Sequence, residues 1–257
     1  MEPAQPGDRG GVPRGPVQHL YGVDVDALTM GQTLDRIEAL VDAGEPVQHV
    51  VLNAAKVVAM TKDPNLRRVI GACPIINADG ASVVLASRVL RRPLPERVAG
   101  IDLFLELVGR CAQNGRSIYL LGATDEVLDE VVRRFTHQYP NLVIAGHRNG
   151  YWDDDDEVID AVRASGADLL FLAIPSPRKE FWLGANMERL GVPFAMGVGG
   201  SFDVVAGHVR RAPVWVQRIG CEWVYRVVQE PRRMWKRYLV GNTTFVWLTL
   251  KELLRRS

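Results

Sequence analysis

Asp79 is the residue in this chain best placed for acid–base chemistry. It follows a short apolar run, residues 74–76, at the turn Asn77-Ala78-Asp79-Gly80, and an apolar helical pattern over residues 81–90 begins directly behind it. A loop with Arg91, Arg92 and Arg97 comes next and closes at Gly100-Ile101-Asp102. A carboxylate at a strand end can take a proton from a substrate hydroxyl. The same carboxylate at a helix start can instead act as a cap, accepting a backbone N–H two or three residues on. The sequence leaves both roles open.

Other segments invite chemical readings of different weight. Gly197-Val198-Gly199-Gly200 follows an apolar run and could hold a phosphate through backbone N–H groups. It does not complete a G-x-G-x-x-G pattern, since position 202 is Phe, and a tight turn explains it equally well. The run Asp153 to Asp156 reads as the solvated, dipole-favoured first turn of a helix rather than a metal site. The five histidines have no zinc-like spacing and no Ser-His-Asp order stands out, so neither metal nor acyl-enzyme chemistry is expected. Cys73, Cys111 and Cys221 are far apart and read as reduced, buried thiols.

Charge is distributed unevenly. From His208 to Ser257 there are eleven basic residues against three acidic ones, a net +8, which leaves −7 for the rest of a chain whose total is +1. That asymmetry points to an anionic partner for the C-terminal segment. Glu230-Pro231 starts a new helix there or kinks an old one. Beyond it, helical spacing puts Arg232, Arg233, Lys236 and Arg237 on one arc, and Met234, Trp235 and Tyr238 on the other. Such a helix is either an ordinary surface helix or one that meets lipid phosphates with its aromatic residues at the boundary. Nucleic acid suits it less, because the acidic remainder would repel a long polyanion.

The elements that must position these groups are regular. Apolar strands over residues 47–52, 117–121, 142–146, 168–173 and 193–198 alternate with helices over 30–41, 54–61, 101–113, 125–138, 154–164 and 178–190, with a first strand over 19–25. This pattern predicts an α/β fold: a mostly parallel Rossmann-like sheet with helices on both faces, plus a helical basic appendage at the C-terminus. Asn53, Asp79, Gly122, Pro175 and Gly197 all fall at strand ends, where such sheets bind ligands. A chain of 257 residues, 47% hydrophobic and 24% charged, can bury the core this requires. The division expected is a disordered Pro/Gly-rich tail over 1–17, an α/β catalytic domain over 18–207 and a docking appendage over 208–257. No signal peptide and no membrane span are expected.

Several blocks in order, LNAAKVV, NADGASVV, ERVAGIDL, NGYWDDDD, SGADLLFLAIPSPRKE, GVGGSFDVVAG, RAPVWVQRIGCEWVYR and QEPRRMWKRYLVGN, resemble the WecG/TagA/CpsF family of bacterial glycosyltransferases over about residues 20–250. The resemblance implies transfer of an N-acetylmannosamine-type or related sugar from a UDP donor to a polyprenyl-diphosphate-linked acceptor, with inversion and with no metal or other cofactor. It implies Asp79 as the base and Arg97 as a residue steadying the acceptor or the departing phosphate. Asn53, Gly80, Lys179, Gly197, Gly199 and Gly200 become substrate-binding candidates, and Arg226, Arg233 and Lys236 match appendage positions that meet diphosphates. The appendage would dock at the cytoplasmic face of the cell membrane, and self-association of the core stays open. Two positions depart from the family's pattern: Val51 stands where Thr is common, and Lys179 replaces the Gln of S-P-[KR]-Q-E. These departures motivate the alternative of a nucleotide- or lipid-phosphate-binding homologue with altered catalysis. A nicotinamide dehydrogenase is disfavoured by the missing glycine motif.

Overall fold

The computed structural model describes residues 12–218, 222–229 and 231–254. Its centre is a six-stranded parallel sheet in the order β4-β3-β8-β7-β5-β6. The strands are β3 (Val47–Leu52), β4 (Ile75–Ala78), β5 (Ser117–Gly122), β6 (Val143–Arg148), β7 (Leu169–Ala173) and β8 (Phe194–Gly197). Their near-continuous apolar sequences follow from burial on both faces. Alternate residues feed opposite layers. Phe194 and Met196 join the core under α1 (Met30–Ala43), α5 (Gly100–Asn114) and α6 (Asp125–Gln138), while Ala195 joins the one under α7 (Asp155–Ser165) and α8 (Arg178–Leu190). Phe104 of α5 anchors the first layer, 4.7 Å from Phe171 and 5.7 Å from Phe135 between ring centroids.

Local signals set the element ends. Thr29 closes a capping box with Gln32 on α1, and Gly44 ends that helix at φ 72°. Asn53 caps α2 (Ala54–Lys62) by accepting from Lys56 N, and Asp63 caps α3 (Pro64–Gly71), whose proline sits at the first helical position. Asp154 caps α7, as the acidic-turn reading requires.

The N-terminal region differs from expectation. Residues 19–25 are not one strand but a hairpin of β1 (Val17–Leu20) and β2 (Val23–Asp26). Tyr21 and Gly22, at φ 54° and 82°, form a two-residue turn of the hairpin-favouring hand. Residues 12–16, expected to be disordered, are held on the fold: Val12 packs on the core, and Arg36 donates to Pro13 O at 3.2 Å. The remainder of the expected tail, residues 1–11, lies outside the described residues.

The C-terminal segment is helical as expected, through α9 (Ser201–Val205), α10 (Val214–Arg218), α11 (Glu222–Gln229) and α12 (Pro231–Leu254). The last turns of α12 are not detached from the α/β unit. Phe245 is 4% exposed within the hairpin's core cluster, and Tyr21 Oη lies 2.8 Å from Thr249 Oγ1.

Beneath the carboxyl edge of β3 and β4, His49 is fully buried. Asn77 Oδ1, which can only accept, takes its Nε2–H at 3.0 Å, and Asn77 Nδ2 donates on to Thr33. Nδ1 is buried without a partner. Burial pushes the imidazole down to about 4; the Asn77 bond opposes this and Lys56 and Lys179 reinforce it. The native state therefore holds His49 neutral at a pH where the unfolded chain, with an ordinary value near 6.5, takes up a proton. Stability from this group is complete above about 6.5 and is lost as pH falls toward 4. Between pH 6.5 and 5 the expected loss is about 2 kcal/mol. Urea unfolding of wild type and His49→Gln at both pH values checks it, since only the wild type should show this component of the slope.

Candidate active site

The chain leaves β3 into α2 on one face of the sheet and β8 into α9 on the other, since Val57 joins the layer that holds Val50 and Phe202 the one that holds Val47. Neighbouring strands whose exits part in this way leave a ligand crevice beyond their carboxyl ends. Asn53 and Gly197 stand at the ends of these two strands, and Asp79 at the end of β4, the other neighbour of β3.

Asp79 does not cap the helix behind it. α4 (Ala81–Val89) has Gly80 at its N-cap with no side-chain cap bond. Instead Asp79 Oδ1 accepts from Gly100 N at 3.0 Å, so this carboxylate anchors the first residue of α5, twenty-one positions on. Its Oδ2 has no hydrogen-bond partner among the described residues, and the residue is half-buried. Asn53 lies alongside: a Cβ placed on Gly80 would sit 3.6 Å from Asn53 Cβ. The Asn53 carbonyl oxygen is committed to capping α2, which leaves its Nδ2 as the group that can face a ligand. Val51 packs its methyl groups against Gly100, an apolar wall where a threonine would place a hydroxyl.

Lys179 and the glycine turn form one unit. Lys179 is 9% exposed and donates from Nζ to Gly197 O at 3.1 Å. A Cβ on Gly197 would come within 2.8 Å of Lys179 Cδ, and one on Gly199, at φ 54°, within 3.2 Å of Nζ. The glycines are what let this side chain lie across the turn. Gly200, exposed, leads into the five-residue α9. Next to Lys179, Glu180 accepts from Lys56 Nζ at 2.7 Å, with both side chains buried. Burial works to raise the Glu180 carboxyl, but Lys56 and Lys179 outweigh it and hold it below its ordinary value. For Lys179, burial and the charge of Lys56 push the ammonium down to about 8, against the pull of Glu180 and Asp79. One buried carboxylate thus faces two buried ammonium groups, and the surplus positive charge sits at the turn.

Arg97 is brought to the same region and is engaged by the C-terminal segment. Its Nη2 pairs with Glu222 at 2.9 Å and its Nη1 reaches Gln217 O at 3.4 Å, while Nε is buried without a partner. Arg211 grips Asp102 of α5 through two bonds of 2.5 and 2.8 Å. The chain after β8 therefore folds back across the N-terminus of α5, next to the Asp79 anchor. A cleft of about 430 Å³ opens between these parts, lined by residues including Ala81, Arg88, Arg97, Ala99 and Gln217. Arg226 falls in α11, and Arg233 and Lys236 in α12; their side chains, like the two arcs expected over residues 232–238, lie outside the described residues.

Some groups went unread in the sequence. Glu222, an acid in a basic segment, meets Arg97, and Lys56 and Glu180 form a buried pair. Tyr151, 72% exposed in the loop after β6, offers an aromatic face at the carboxyl edge. Behind it, Asp155 accepts from both Trp152 and Trp182 indoles, at 2.6 and 2.8 Å, so the acidic run is used in structure. Among the described residues no group of three or more His, Cys, Asp or Glu is gathered as a metal would need.

Comparisons with known proteins agree with this layout. The model of the glycosyl transferase WecG/TagA/CpsF family matches residues 18–257. A protein of Bacillus spizizenii named N-acetylglucosaminyldiphosphoundecaprenol N-acetyl-beta-D-mannosaminyltransferase is 36% identical over 178 residues, 69% of each chain. Its namesake in Bacillus subtilis is 36% identical over 181 residues, 70% of each. With a parallel sheet whose carboxyl edge carries the matched NADG, SPRKE and GVGG blocks, this chain belongs to the WecG/TagA/CpsF family of glycosyltransferases.

Proposed function

We propose that this enzyme transfers an N-acetylmannosamine-type sugar from UDP to an N-acetylglucosamine carried on a polyprenyl diphosphate, with inversion and without a metal ion or other cofactor. The observation that carries this reading is the pairing of one half-buried carboxylate, Asp79, with a fixed cationic surplus at Lys179 on the same sheet edge. Asp79 takes the proton from the acceptor hydroxyl as its oxygen attacks the anomeric carbon. The bond from that carbon to the UDP oxygen breaks on the opposite face, and the electron pair leaves with UDP. A single displacement needs one base and no enzyme nucleophile, which suits a site with one carboxylate at its centre. Charge develops on the departing diphosphate, and preorganised cations and backbone N–H groups lower that barrier. The N–H groups of Val198 and Gly199 are already donated to Leu172 O, so at this turn it is Lys179, lying across it, that is placed to do so, with Arg97 beside the acceptor. Tyr151 supplies a face for the nucleotide base, and Asn53 Nδ2 a donor for the sugar.

The acceptor reading also rests on the two Bacillus relatives, whose names specify that lipid-linked acceptor and that sugar. Among the described residues no helix is long and apolar enough to cross a membrane. α12 nevertheless exposes Val240, Trp247, Leu250 and Leu254 along one face, with Lys251 4.9 Å from the Trp247 ring. A stripe of this kind can lie in the headgroup boundary, which supports peripheral docking of the 208–257 segment at the inner face of the membrane.

UDP release should appear when UDP-N-acetylmannosamine and a lipid-diphosphate-linked N-acetylglucosamine are supplied, and it should persist in EDTA. UDP binding without turnover over a broad donor panel would replace this reading with that of a binding homologue.

A further inference from the structure

The cleft beside Asp79 has a wall that the transfer chemistry does not use. α4 buries one face in the hairpin core, yet its other face leaves Leu85 64% and Val89 47% exposed. Ala81, Leu85 and Arg88 recur at spacings of four and three along this helix, so they share a face, and all three line the cleft with Val84. The Arg88 guanidinium has no hydrogen-bond or ion-pair partner among the described residues. Across the opening, α10 contributes Gln217 and carries Trp215, 67% exposed.

The geometry points to α4 as the seat of the acceptor's lipid: the isoprene units nearest the diphosphate lie against Leu85 and Val89, with the diphosphate held between Arg88 and Arg97. This rests on the acceptor reading given above and names the surface that would recognise it. Three features favour one amphiphilic chain as occupant. The cleft starts at the catalytic edge, since Ala81 is two residues after Asp79 and Ala99 precedes the Gly100 that Asp79 anchors. Cations and exposed aliphatic groups are interleaved on one wall, matching an anionic head joined to a hydrocarbon. A concave groove of about 430 Å³ also suits a single chain, whereas a bilayer meets a convex face.

The test is calorimetric titration of the full chain, without vesicles, with farnesyl diphosphate and with inorganic diphosphate. Wild type should bind the isoprenoid at least about tenfold more tightly, the worth of covering one large aliphatic side chain. Leu85→Gln should erase that preference while leaving inorganic diphosphate binding and the circular dichroism spectrum unchanged; Arg88→Gln should weaken both ligands several-fold. Equal affinities in wild type, or a preference that survives Leu85→Gln, would overturn the assignment. So would a Leu85→Gln protein that keeps the isoprenoid preference but no longer sediments with phosphatidylglycerol vesicles, because α4 would then be a bilayer contact. A wild type that shows the preference yet transfers no sugar to any acceptor leaves the lipid seat standing and removes the transferase reading alone.

Discussion

Asp79→Asn is expected to lose transfer by about 10²- to 10⁴-fold in kcat while UDP affinity and thermal stability stay near wild type. The expectation follows from the two oxygens having separate tasks. Oδ1 accepts from Gly100 N at 3.0 Å and thereby stands in for the missing N-cap side chain of α5, where Ala99 makes no such bond. Asparagine retains an oxygen for that N–H and loses only the ability to take a proton. Asp79→Ala removes both, and should cost about 1 kcal/mol of stability in addition, the usual worth of a helix cap. Measuring kcat, UDP binding and melting temperature on the pair separates the roles. An asparagine variant with kcat within a few-fold of wild type would end the assignment of Asp79 as base. An alanine variant as stable as the asparagine one would end the anchoring role.

The anchoring of α5 by Asp79 also marks the limit of what the sequence could tell. A local pattern sets Asp79 against the helix directly behind it, and capping preference ranks that partner first. The actual partner is twenty-one residues downstream, and no local periodicity encodes such a pairing. Elements whose signals are local were legible: α6 and α8 fall on the expected residues, and the apolar runs at residues 47–52 and 168–173 became β3 and β7. The sheet order was not, because inserting β8 between β3 and β7 is a matter of helix packing on both faces rather than of strand composition. The hairpin at Tyr21-Gly22 was hidden by a tyrosine at a position where glycine or asparagine would have announced a turn. Charge was legible only in part. Eleven basic residues mark the last fifth, and of these Arg211 meets Asp102 at the cleft, but the residue of that segment that pairs with Arg97 is the acidic Glu222. Likewise Lys56 and Glu180 look like surface residues in sequence, since nothing in composition tells a solvated lysine from one that meets a carboxylate 124 positions away.

Lys179→Met is expected to make the protein more stable and much less active. Lys179 is 9% exposed, its only carboxylate neighbour on the same helix is already bonded to Lys56, and burial with that second ammonium pushes it down to about 8 from 10.5. Below pH 8 the lysine is charged in both states, so the native state bears the whole cost of burying it. Between 8 and 10.5 the native group is neutral while the unfolded one is still protonated, so wild-type stability should rise with pH across that window. At pH 7 methionine should therefore add on the order of 2 kcal/mol, because it leaves the Lys56–Glu180 pair balanced. On the proposed mechanism the same change removes the cation that acts on the departing diphosphate, for which a loss of about 10²-fold or more in kcat is expected. Lys179→Gln, which restores the residue of the family's pattern, should show the stability gain and keep more activity, since an amide still donates to the phosphate. Unfolding curves at pH 7 and 9.5, with steady-state transfer on all three proteins, decide the matter. A methionine variant that gains stability and keeps wild-type kcat would make Lys179 a buried charge with no part in the reaction. One that loses stability would mean that the bond to Gly197 O, rather than the surplus charge, dominates at the turn.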